Sequence, residues 1–221
     1  MNGSGSVTSP RRQRSSRGSG EQLRDEIIDA AIILVLETKE MRAPSIREVA
    51  RKIGVTPPSI YLHFADKDEL VDALCAQYYQ RLEDEMVAAA LDQPTALERL
   101  LAQGMAYVRF AVETPLMYRL TTSTPPRNDS ELDETLVSAA FAHLHRGVQE
   151  LVAEGFYPDG DTVSMALQLW VAAHGVASML VTKPYLPWGD AELFADNALR
   201  AACLGQAVSD IDLTKVLPRQ K

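Results

Sequence analysis

The sequence predicts an all-α protein of two parts, a three-helix unit near the N-terminus joined by one long helix to a larger helical body. Three observations carry this. Apolar residues recur at helical spacing along most of the chain. Residues 45–70, SIREVARKIGVTPPSIYLHFADKDEL, hold two short helical patterns separated by Gly54. Cap residues, Pro and Gly fall at the junctions where helices should start and stop. The boundaries that follow are a flexible basic arm over 1–20, a helix-turn-helix unit over 21–66, a helical body over 67–208 and a flexible tail over 209–221.

Residues 1–20 contain six Ser, four Gly, four Arg and no acid, too little apolar surface to offset the entropy of ordering. Two readings stay open for this arm: added phosphate or minor-groove contacts, or a solvated tail. From Glu21 to Thr38, Leu23, Ile27, Ala30 and Leu34 follow one helical face. In the next helix Ser45 is a cap, and Ile46, Val49, Ala50 and Ile53 fall at i, i+3, i+4 and i+7. Gly54 suits the left-handed residue that reverses the chain. Thr56 is an N-cap candidate for a short helix of about 10 Å, with Pro57 and Pro58 in its first turn and Val55 placed to staple onto Ile60. Asp66 and Glu69 form a capping-box pattern, which puts Lys67 in the first turn of the linking helix. A cation there opposes the helix dipole unless a phosphate lies beside it.

A helix, a Gly turn and a short helix bearing small polar and aromatic side chains is the layout that reads the DNA major groove. By spacing alone, a plain helical hairpin with Tyr61 and His63 half-buried stays open. The run Ile46-Arg47-Glu48-Val49-Ala50, then Gly54-Val55-Thr56, Ile60-Tyr61-Leu62-His63-Phe64, Lys67 and Glu69-Leu70 resembles the N-terminal domain of the tetracycline-repressor (TetR) family of bacterial regulators. The resemblance implies a DNA-contact set of Ser45, Arg47, Thr56, Pro57, Pro58, Ser59, Tyr61, His63 and Lys67, with Lys67 on phosphate. The junction Thr38 to Pro44 departs from the family pattern in lacking a glycine. None of these residues is an arginine placed to fork onto guanine, so the operator sequence is not legible here.

A net charge of −8 argues at first against nucleic acid, but its distribution does not. Residues 1–64 hold 10 Lys or Arg against 7 acids, while the remainder holds 12 against 23.

The linking helix carries Leu70, Leu74, Tyr78 and Leu82 at steps of four. Thr95 and Glu98 open a helix with Leu97, Leu100, Leu101, Met105 and Val108 inward, running to Thr114, and Pro115 opens a short one through Leu120. A polar loop, 121–130, precedes a helix with Leu132, Leu136, Ala140, Leu144, Val148 and Leu151 on one face and Gly155 at its end. Residues 162–182 contain no charge, a length that fits a membrane span, but Ser164, Gln168, His174, Gly175 and Ser178 are too polar for one. A helix apolar all round must be covered on several sides, and a second copy is the economical cover. With the last helix, about 190–208, the expected homodimer face is Gln168, Val171, Ala172, Gly175, Met179, Phe194, Ala198 and Ala201.

Trp170-Val171-Ala172-Ala173-His174-Gly175 resembles the Trp-x-x-x-His-Gly signature of one C-terminal domain type in the same family, and the segments from Tyr107 to Leu120 are similar to it. Trp170 and His174 lie one turn apart, so a mutual contact is expected. The resemblance implies a small, largely apolar effector, for which Met105, Phe110, Met117, Tyr118, Phe141 and Trp170 are candidate lining residues; the bland reading is that they fill the core.

No catalytic residue, metal or cofactor is expected. His143 and His145 point about 200° apart on a helix, and no Gly-rich phosphate loop, Gly-x-Ser-x-Gly or His-Glu-x-x-His occurs. Two cysteines, Cys75 and Cys203, suit a reducing cytoplasm, and no apolar export segment is visible. The function expected is a DNA-binding transcriptional regulator, a repressor released from a palindromic operator by an effector. A helical ligand-binding module without DNA binding, and a helical enzyme, are the alternatives.

Overall fold

The protein is described from a computed structural model covering residues 19–38, 42–123 and 131–209, with side chains at all of these except 19 and 131–139. The arm up to residue 18, residues 39–41, the loop 124–130, the tail beyond 209 and the expected core positions Leu132 and Leu136 lie outside the described residues or side chains. Among the described residues there are nine α-helices and no strand: α1 (Ser19–Thr38), α2 (Ile46–Ile53), α3 (Pro57–Tyr61), α4 (Lys67–Ala90), α5 (Ala96–Glu113), α6 (Pro115–Ser123), α7 (Glu131–Ala153), α8 (Thr162–Thr182) and α9 (Ala191–Ala207).

The first three helices bury most of the faces their spacing implies, with Leu23, Leu34 and Ile53 only half-buried. Ile27, Ala30, Val35, Val49 and Ala50 are buried with Ile60 and Phe64, and the core continues through Leu70 and Leu74 of α4. Gly54 ends α2 at φ 71°, a conformation that costs a residue with a Cβ roughly 1–2 kcal/mol. α2 starts on a full capping box. Ser45 Oγ accepts from the Glu48 amide, and the Ser45 amide donates to Glu48 Oε2 at 2.7 Å. The Arg42 guanidinium donates to both Glu48 oxygens, at 3.0 and 2.8 Å. Arg42 first, then the Ser45 amide and hydroxyl, hold the Glu48 carboxyl well below the usual carboxylate range.

Because the folded pKa is depressed, this contribution is present above the unfolded carboxylate pKa, about 4.3, and is lost as pH falls through the folded value. Glu48→Ala is expected to cost about 1 kcal/mol at neutral pH in urea or thermal melts. The gap to the parent protein should narrow on acidification below about pH 4; a gap that widens there contradicts the linkage.

Thr56 occupies the N-cap position of α3, but its hydroxyl does not cap. It meets Ser59 Oγ at 2.9 Å instead. Pro57 and Pro58 remove two first-turn donors, and the third, the Ser59 amide, bonds the Thr56 carbonyl. The helix is shorter than its apolar spacing suggests, because the amides of His63 and Phe64 both converge on the Ile60 carbonyl.

α5 is the axis of the body and packs against α4, α6, α7, α8 and α9. Thr95 caps it as expected, and Gly155 at φ 72° ends the α7 segment, where the amides of Phe156 and Tyr157 return to the Leu151 carbonyl. Two elements join the halves of the molecule. α4 is continuous between them, and α6 packs against both α1 and α4.

Candidate functional site

On the outer side of α2 and α3 the local sequence leaves polar and cationic groups uncovered. Arg47, Thr56, Pro58, Tyr61 and Lys67 are exposed, and Pro57, Ser59 and His63 are half-buried. Ser45 is half-buried too, and its hydroxyl is already engaged with the Glu48 carboxylate at 2.7 Å. Arg42 and Lys52 are tied to Glu48 and Glu37, whereas Arg47, Arg51 and Lys67 make no ion pair among the described residues. Arg47 and Arg51 are four residues apart on α2, so they share a face. Lys67 opens α4, where Asp66 accepts the Glu69 amide at 2.8 Å and the Glu69 carboxylate accepts the Ala65 amide. The Lys67 and Asp68 amides sit in the first turn, where a helix offers them no internal acceptor. A cation beside outward amides suits an anionic oxygen.

Two residues of this surface lie outside the expected contact set. Leu62 is 84% exposed between Tyr61 and His63, an apolar side chain at the tip of the short helix. Arg51 is the other. The charge pattern alone does not separate it from the paired Lys52.

An apolar cavity lies in the body between α4, α5, α7, α8 and α9. Leu100, Gly104, Tyr107, Trp170, Leu199 and Cys203 are among its walls. Of the six expected lining residues, Trp170 borders it. Met105, Phe110, Met117 and Tyr118 are buried elsewhere in the core, and half-buried Phe141 stacks on His145 and meets Trp170 edge-on. The reason is the angular position on α5. Gly104 and Tyr107 face the cavity, while Phe110 turns toward α4 and lies 5.0 Å from the Tyr78 ring. A Cβ on Gly104 would come within 3.1 Å of Leu199, so glycine permits α5 and α9 to approach there.

Trp170 and His174 do not stand alone. Tyr107 lies between them, with its ring 5.8 Å from Trp170 and its hydroxyl 2.9 Å from His174 Nδ1. The Tyr118 hydroxyl, on α6, is 3.3 Å from the same nitrogen. Burial lowers the His174 pKa and raises that of both tyrosines, so the cluster is neutral at physiological pH.

His143 and His145 diverge, to Glu83 at 3.1 Å and Thr162 at 2.8 Å, and no group of three metal-type ligands occurs among the described residues. Cys75 is half-buried, and burial pushes the Cys203 thiol up to about 11, which keeps it a thiol.

A third feature is a bare apolar face on the last two helices. Val163, Leu167, Val171 and Met179 of α8 are exposed at steps that keep to one side, with Leu193, Phe194 and Leu204 of α9 also exposed. α8 is long and apolar enough to cross a bilayer by length and composition, and only 28% of its most apolar stretch is buried within the chain. Gln168 is exposed but tied to α9, its Oε1 accepting from Gln206 at 2.7 Å. Gly175 and Ala201 are exposed, and Ala172 and Ala198 are half-buried.

Both halves match models of one family. Residues 27–74 match the model described as bacterial regulatory proteins, tetR family, and residues 100–202 match the tetracyclin repressor-like C-terminal domain. The chain belongs to the tetR family. It is a DNA-binding transcriptional regulator. A relative, the HTH-type transcriptional repressor KstR2 of Rhodococcus jostii (strain RHA1), is 26% identical over 175 residues, 75% of this chain and 84% of that protein. A solved structure of a protein of unknown function from Rhodococcus sp. RHA1 superposes with a TM-score of 0.74 at 26% identity, covering 84% of this chain and 95% of that one. The fold is also shared by the regulator FadR from Bacillus subtilis, solved in complex with stearoyl-CoA, at TM-score 0.68 and 17% identity over 82% of this chain and 98% of that one.

Proposed function

We propose that the protein is a cytoplasmic, homodimeric repressor that leaves a palindromic operator when a small, largely apolar effector enters the cavity of the C-terminal body. The observation that carries the DNA half is the ring of exposed polar and unpaired cationic groups around α3, with Lys67 beside the amide-bearing start of α4. Thr56, Ser59, Tyr61 and His63 offer hydroxyl and imidazole groups to base edges and phosphates, Pro57 and Pro58 a surface for a thymine methyl, and Arg47 and Lys67 charge. The Ser45 hydroxyl is committed to its cap, which leaves its exposed neighbours the stronger candidates. The name of the Rhodococcus jostii relative supports repression.

The bare face of α8 and α9 supports a dimer, with Val171, Gly175, Met179, Phe194 and Ala201 available, Ala172 and Ala198 partly so, and Gln168 already braced by Gln206. Two recognition helices then face successive major grooves about 34 Å apart, or a helical turn further. Release is a population shift in which only the effector's differential affinity counts. Tyr107 borders the cavity and shares His174 Nδ1 with Tyr118 of α6, and α6 packs on α1. Filling the cavity therefore presses on an element that touches the DNA-reading unit.

Arg47→Ala and Lys67→Ala should each weaken binding across all duplex sequences alike and lower the slope of log affinity against log salt by about 1. Unchanged slopes would remove phosphate contacts from these positions. Absence of salt-sensitive affinity for any duplex would favour a ligand-binding module without DNA binding.

A further inference from the structure

Resting on the reading of α3 as the DNA-contacting helix, we infer that Leu62 reads a thymine in each half of the operator, its side chain packing on the 5-methyl group in the major groove. The inward direction of α3 is fixed by Ile60, which is fully buried. Leu62 keeps helical torsions, φ −75° and ψ −16°, so the helical repeat of about 100° per residue extends through it. Pro58 and Leu62 then each project within about 20° of the direction opposite Ile60. They form the crest of the helix, with Pro58 exposed and Leu62 84% exposed. Ser59 and Tyr61 stand about 80° to either side of that crest. Arg47 and Lys67, exposed and without an ion pair among the described residues, supply charge around it.

The crest is the part of a reading helix that comes nearest the base edges, and here it carries no side-chain donor or acceptor. The next backbone amides are spent as well, since those of His63 and Phe64 both bond the Ile60 carbonyl. Against such a surface the four bases are not equivalent. Adenine, guanine and cytosine present only hydrogen-bonding atoms to a contact in the major groove, and these would lose water there without gaining a partner. Thymine alone adds a methyl group. Of the two crest residues Leu62 has the longer reach, because the Pro58 ring closes back onto its own nitrogen. Two side chains are far too little apolar surface for a protein partner, which needs about 800 Å² on each side.

The test uses the full chain and the duplex recovered by selection from a random pool, with each thymine replaced in turn by deoxyuridine. Deoxyuridine lacks the methyl group and keeps every hydrogen-bonding atom, so charge and base pairing are unchanged. At one position in each half-site the replacement should weaken binding about fourfold, the value of one buried methyl group. Leu62→Ala should bind the thymine duplex more weakly and no longer distinguish thymine from deoxyuridine at that position. Its circular dichroism and its salt slope should match the parent's, because the side chain is exposed and touches no phosphate. No position sensitive to deoxyuridine, or a sensitivity that Leu62→Ala leaves intact, would overturn the assignment and leave α3 as the reading helix. Recovery of no common sequence would overturn the DNA reading, and the assignment of Leu62 with it.

Discussion

A Val171→Glu chain is expected to fold normally, to remain monomeric and to lose at least ~100-fold in operator affinity. Val171 is 67% exposed in the single chain and sits near the middle of the bare α8 face, so a carboxylate there is hydrated and costs little in a monomer. Across a two-fold interface the same carboxylate would be buried twice, and α8, which carries no charged residue from Thr162 to Thr182, offers it no cation to pair with. Burying unpaired charge is a several-kcal/mol penalty, enough to dissociate an interface of ordinary size. Affinity falls further than any single contact implies, because linking two reading heads makes the second contact intramolecular. Sedimentation equilibrium gives the mass and circular dichroism the fold; a variant that stays dimeric would take this face out of the interface.

Phe64→Ala is expected to destabilise the DNA-reading unit by about 3–5 kcal/mol, much of what so small a unit has to spare. Phe64 is fully buried between α3 and α4, and the Arg24 guanidinium lies 5.0 Å over its ring from α1. Truncation removes apolar contact from three helices at once and leaves the cation without its aromatic face. Two halves joined through α4 and the α6 packing need not unfold together, so the effect belongs in local measurements. Hydrogen exchange should show α1–α3 opening far more often while the α5 and α8 amides keep their protection, with operator binding lost. Equal loss of protection throughout would mean that the halves form one cooperative unit.

Legibility differed between the two halves for a physical reason. The DNA-reading unit is built from local signals: apolar residues at one helical face, Gly54 at a positive φ, and Asp66 with Glu69. Each has one structural meaning, and the observed helices follow them closely. Ser45 with Glu48 three residues later also spells the capping box, but the Arg42 clamp on that carboxylate comes from outside the helix. The Thr56 hydroxyl does not cap because a cap needs an amide to bind, and two prolines remove the nearest ones. In the body, α5 meets five other helices, so apolar residues occur around most of its circumference and periodicity does not say which neighbour each one faces. Met105 and Phe110 look as suitable for a cavity wall as Tyr107 does. Only the packing, and the small side of Gly104 against Leu199, sets which residues border the space. The α8 face was legible because its excess of apolar surface exceeds what one chain can cover.

The most direct test of the central claim is selection of bound sites from a random duplex pool by the full-length protein, with affinity for the recovered site then followed against salt. A palindrome whose half-site centres lie one or two helical turns apart, bound with a steep salt slope that Arg47→Ala and Lys67→Ala each reduce, is the predicted result. Recovery of no common sequence, with weak binding indifferent to those two substitutions, would contradict it.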